Sequence, residues 1–81
     1  MGLKLNTIIT LESTEQFVLI SDTVYGGVKY FLAMGVDSKN EIVPTKVVIV
    51  EEIINGEDLY IDKVTDPEMI IILTRILKQN I

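Results

Sequence analysis

Carboxylates are the most abundant chemistry-bearing side chains in this 81-residue chain, with twelve Asp and Glu against seven Lys and Arg, and no His or Cys. Seven of the acids (Glu51, Glu52, Glu57, Asp58, Asp62, Asp66 and Glu68) fall within one short stretch, where Lys63 is the only base. Such a cluster could ligate a cation or dock a basic partner. An EF-hand-type loop needs oxygen ligands at alternate positions and a terminal Glu, and that spacing is absent. The adjacent pairs Glu51-Glu52 and Glu57-Asp58 point to opposite faces if they lie on strands. Two carboxylates doing acid–base work must instead flank one bond, ~5–9.5 Å apart. The cluster therefore reads as a solvated hairpin edge followed by a helix start.

Other reactive groups lack partners. Ser13, Ser21 and Ser38 sit in no nucleophile-elbow context, and no imidazole exists to activate them. A Ser–Lys dyad needs a buried Lys of depressed pKa, and the sequence nominates none. Gly26-Gly27 lacks phosphate-loop spacing and leads into a strand-like run, so it reads as a hairpin turn. The aromatic residues Phe17, Tyr25, Tyr30, Phe31 and Tyr60 have only Lys29 near them, whereas a base-stacking platform needs basic residues between its rings. The absence of Cys and His excludes disulfides, zinc fingers, iron–sulfur ligation and thiol nucleophiles. No enzyme activity, cofactor or metal is expected.

The net charge of −5 and pI near 4.5 oppose binding to nucleic acid and to anionic membranes. The apolar run Met69–Leu73 is five residues, where a spanning helix needs ~20. Met1-Gly2 resembles the start of a myristoylation signal, but Asn6 stands where that signal wants Ser or Thr. A reducing cytoplasm is the expected setting.

The elements that carry these residues follow from period and punctuation. Short runs rich in β-branched and aromatic residues predict strands over 7–11, 16–24, 28–34, 45–54 and 59–64. The breaks between them are a polar stretch at 12–16, Gly26-Gly27, a loop over 35–40, and Asn55-Gly56. Pro44 is placed at the entrance of the fourth strand. In the third strand Val28, Tyr30, Leu32 and Met34 share one face and are expected in the core; Lys29, Phe31 and Ala33 share the other. Val47–Val50 is apolar on both faces, with Lys46, Glu51 and Glu52 as flanking charges. After Val64 the period changes. Thr65 and Glu68 have capping-box spacing, Pro67 fits a first turn, and Met69, Ile70, Ile72, Leu73, Ile76 and Leu77 fall on one half of a helix over 66–79. The reading is a single α+β domain: a five-stranded antiparallel meander with one C-terminal helix on one face.

The run Ile9-Thr10-Leu11, then Phe17 and Leu19, then Tyr25-Gly26-Gly27-Val28-Lys29-Tyr30-Phe31-Leu32-Ala33 resembles the YrzB-like family of small acidic bacterial proteins, mostly from Firmicutes and of unknown function. Leu59 to Glu68, with Val64, Asp66 and Glu68, is similar to that family's closing stretch. The chain departs from the pattern at Ser13-Thr14-Glu15, where the family usually has Asp-Gly, and at Met34-Gly35, where Pro is frequent. The resemblance implies a bacterial protein and no particular activity.

Function is expected to be a non-catalytic interaction module that binds a protein partner or a second copy of itself. The expected surface is Val48, Val50, Glu51, Glu52, Ile71 and Ile81, because one small helix leaves apolar sheet uncovered. The alternative is a small-ligand pocket between helix and sheet, lined by Tyr30, Met34, Tyr60 and Met69.

Overall fold

The computed structural model describes residues 3–11 and 14–81. Met1, Gly2, Glu12 and Ser13 lie outside the described residues, and with them the Met1-Gly2 motif and part of the first turn. The chain forms β1 (Ile8–Thr10), β2 (Gln16–Tyr25), β3 (Val28–Val36), β4 (Ile42–Asn55), β5 (Asp58–Lys63) and α1 (Pro67–Gln79). The strands lie in one sheet in chain order, every neighbour antiparallel. The α+β meander with one C-terminal helix is thus the fold.

Turn chemistry sets the register. Gly26 and Gly27 take φ of +59° and +80° between the paired Tyr25 and Val28. Positive φ at both central residues matches the right-handed twist of a two-residue hairpin, and glycine reaches it without strain. At the second tight hairpin Asn55 pairs with Asp58, so the loop is Gly56-Glu57 and Asn55 closes it rather than occupying it. The expected loop over 35–40 is shorter. β3 runs through Gly35 to Val36, and the Asp37 carboxylate gathers the turn by accepting from the N–H groups of Lys39 and Glu41 at 2.9 and 3.0 Å.

β4 begins ahead of Pro44, not at it. Met34 pairs with Val47 but Gly35 pairs with Val43, so Pro44, Thr45 and Lys46 form a bulge where a missing N–H breaks no ladder bond. That bulge folds onto Gly35. A Cβ there would lie 2.8 Å from the Lys46 Cβ, which explains the glycine in an otherwise bulky strand.

On one face the helix packs Leu73 and Leu77 onto Tyr30, Leu32 and Ile49, with Val28, Val64 and Met69 around them. Its apolar stripe is narrower than the half-cylinder expected. Leu73 and Leu77 are fully buried, Met69 and Ile76 half-buried, and Ile70 and Ile72 exposed at the margins. The N-cap is Asp66, whose carboxylate accepts from the Glu68 N–H at 3.0 Å. This corrects the Thr65–Glu68 capping box: Pro67 occupies the first helical position, so the cap must be the residue just before it. A β2 irregularity between Leu19 and Ser21 turns Ser21 toward the helix, where its hydroxyl donates to the Leu77 carbonyl at 2.7 Å. The last turn is thereby anchored to the sheet.

The opposite face is a second core. Ile9, Phe17, Leu19, Phe31, Ala33 and Val50 are buried there, and Leu3, Leu11, Val48 and Ile61 pack against them. This overturns the expectation that this face is left to water or to company. Residues from all five strands meet in that cluster, so the sheet curls over its own concave side. Strand twist and the bulges at Ile20 and Pro44–Lys46 supply the curvature. The N-terminal segment completes the cover: the Leu3 N–H donates to the Glu52 carboxylate at 3.0 Å. The same curl buries Phe31 and Ala33, which alternation had placed away from the core.

Candidate functional site

Curling leaves the two edges of the sheet facing one cleft of about 520 Å³. One wall is Thr10 and Leu11 at the end of β1, with Glu15 and Phe17 at the start of β2; the other is Leu59 to Lys63 of β5. Successive strand residues point to opposite faces. A cleft touching one face of β5 would therefore meet alternate residues only. Five consecutive residues line it, so what borders the cleft is the backbone edge of the strand.

The hydrogen-bond phase of that edge follows from the register. The Val64 N–H donates to the Ile49 carbonyl at 2.8 Å. Hydrogen-bonded pairs recur every second residue in an antiparallel ladder, so Glu51–Asp62, Ile53–Tyr60 and Asn55–Asp58 are the bonded pairs of this hairpin. Leu59, Ile61 and Lys63 consequently turn their N–H and C=O groups away from β4, toward the cleft. Among the described residues no other strand pairs with β5. The side chains of Leu59 and Ile61 face the concave side, where Ile61 joins the cluster with Phe17 and Leu11. An open backbone edge therefore runs beside an apolar trough.

The other face of the same strand is acidic. Glu51 and Asp62 are direct cross-strand partners, an arrangement that like charges make unfavourable. Both line a hollow of about 270 Å³ beside the helix start, together with Asp66, Tyr30 and Met69. Lys63 also borders this hollow. The ion pairs among the described residues lie elsewhere: Lys29 with Asp22 at 3.3 Å and Lys46 with Glu15 at 2.7 Å. Among the described residues no group of three or more His, Cys, Asp or Glu is placed to hold a metal ion. No helix among them is long and apolar enough to cross a membrane.

The expected interaction surface does not assemble. Val50 is fully buried under the concave cluster and Val48 packs against it, because alternation puts both on the side over which the sheet closes. Glu52 is half-buried and engaged by the Leu3 N–H. Glu51 faces the opposite way, toward the helix start. Ile71, 64% exposed, is on the outer side of the helix, and Ile81, 70% exposed, ends the chain. The alternative pocket does not form either. Tyr30 and Met69 meet at the acidic hollow, Tyr60 is exposed on β5 and borders the other cleft, and Met34 pairs with Val47 far along β3. The residues missed were Leu11, Phe17, Leu59 and Ile61. One signal could have found Leu59 and Ile61, since the last strand of an open meander is an edge; Leu11 and Phe17 face that edge only because the sheet curls.

No protein-family model, curated protein or solved structure matches this chain.

Proposed function

We propose that this protein is a non-catalytic interaction module that takes an extended segment of a partner protein along β5. The observation that carries this reading is the five-residue backbone edge, Leu59 to Lys63, opening on a cleft that also holds Leu11 and Phe17. Strand addition draws affinity from main-chain hydrogen bonds and selectivity from pockets for alternate side chains, and both are available here. Edge strands are ordinarily blunted by bulges, Pro, cover or charged side chains, and of these β5 has only the charges of Asp58, Asp62 and Lys63. β5 is regularly paired to β4 along its length, without register shift, and contains no Pro. The resemblance to YrzB-like proteins and the lack of Cys support a bacterial cytoplasmic setting for this role.

A display selection with random unstructured nonapeptides tests the proposal. Enriched peptides are expected to shift the backbone amide resonances of Leu59, Ile61 and Lys63. A selection yielding no binders, or binders mapping to the outer face of α1, would refute it. A small apolar ligand in the same cleft is the second reading, favoured by a volume within the range of small-molecule sites (~300–1,000 Å³). Such a ligand would shift Leu11 and Phe17 without protecting the Ile61 amide from exchange.

A further inference from the structure

Resting on strand addition at β5, we infer that the incoming segment is basic: an extended stretch alternating apolar residues with Lys or Arg, supplied by a protein other than a second copy of this chain. The two faces of β5 set that alternation. On the concave side Leu59 and Ile61 sit with Leu11 and Phe17, so the inward side chains of an added strand meet apolar surface beside these residues, while Glu15 and Lys63 bring one charge of each sign to the same cleft. On the other side Asp58, Tyr60 and Asp62 alternate outward, and Asp62 shares its hollow with Glu51 and Asp66.

Charge complementarity is the argument for the occupant. Residues 51–68 hold seven acids and one base, a net of −6 against −5 for the whole chain, which leaves the remaining residues at +1. The negative charge is thus concentrated in the end of β4, β5 and the helix start, with Asp58 and Asp62 on β5 itself. Glu51 directly opposes Asp62, and a Lys or Arg from an added strand would relieve that repulsion from the free side. The hollow of about 270 Å³ has room for a long cationic side chain, with Tyr30 and Met69 against its aliphatic stem. A second copy is disfavoured by the same charges, since pairing β5 with β5 would set the Asp58 and Asp62 of both copies on one sheet face.

The test uses three labelled heptapeptides: alternating Val and Lys, alternating Val and Glu, and the Val/Lys peptide with alternate amides N-methylated. Binding is measured by fluorescence anisotropy at low and physiological salt, with amide shifts locating the contact. The Val/Lys peptide is expected to bind at Leu59, Ile61 and Lys63, about 10- to 100-fold tighter than Val/Glu, because the cross-strand charge pairs at Asp58 and Asp62 are attractive for one and repulsive for the other. It should weaken with salt and lose binding on N-methylation. Asp58 and Asp62 are both exposed, and Asp58→Lys with Asp62→Lys is expected to invert the preference while the thermal transition stays cooperative. Equal affinity for Val/Lys and Val/Glu, or a preference that the double variant leaves unchanged, overturns the basic-segment inference and leaves strand addition standing. Absence of β5 shifts with every peptide overturns strand addition itself. A sedimentation profile showing a dimer whose β5 amides are protected overturns the choice of partner.

Discussion

Phe31→Ala is expected to destabilise the protein by about 3–5 kcal/mol, the range for removing a large aromatic from a packed core. A domain of this length has a total stability of roughly 4–12 kcal/mol, so the variant should lose about a quarter of it or more. The reason is position. Phe31 is fully buried on the face opposite the helix, enclosed by Phe17, Leu19, Ala33 and Val50. If that face were open, truncating its side chain would be a surface substitution, within about 0.5 kcal/mol of neutral. The urea midpoint of Phe31→Ala beside that of the exposed Tyr25→Ala separates the two cases. A midpoint drop confined to Phe31→Ala fits the closed concave core.

Leu77→Ala tests the other layer, with an expected loss of about 2–5 kcal/mol. A 13-residue helix is marginal in water on its own, so α1 persists through what it buries. Only Leu73 and Leu77 are fully buried along it, and Leu77 sits at the turn whose carbonyl accepts the Ser21 hydroxyl. Truncating it opens a cavity over Leu32 and loosens that anchor together. Ile71→Ala, at an exposed helix position, should change stability by no more than about 0.5 kcal/mol. Equal effects at Leu77 and Ile71 would mean that the helix packs through a different face.

Period and punctuation made the order and type of every element legible. The Gly26-Gly27 turn, the alternation in β3 and the change of period after Val64 each have a local physical cause. Closure of the second face was not legible. It depends on two bulges and on curvature summed over five strands, and neither leaves a mark in the residue pattern of one strand. Val48 and Val50 show the consequence. A run apolar on both faces fits self-association as well as burial on both sides, and only the curl decides between them. Phe31 and Ala33 were set aside for the same reason: Lys29, on their face, marks it as polar, yet Lys29 lies beyond the buried zone, pairing with Asp22 and lying 5.6 Å from the Phe31 ring centre. The acidic stretch was visible as composition. Its meaning required the register, which sets Glu51 against Asp62 and leaves the far side of β5 open.

β5 is an open edge with its free hydrogen-bonding groups at Leu59, Ile61 and Lys63. Residue-resolved amide hydrogen exchange on the free protein reads this edge one N–H at a time. Slow exchange is expected at Tyr60, Asp62 and Val64, whose N–H groups face β4, and fast exchange at Leu59, Ile61 and Lys63, giving an alternating pattern along one strand. Uniform protection from Leu59 to Val64 would mean that the edge is already paired and closed to an added strand.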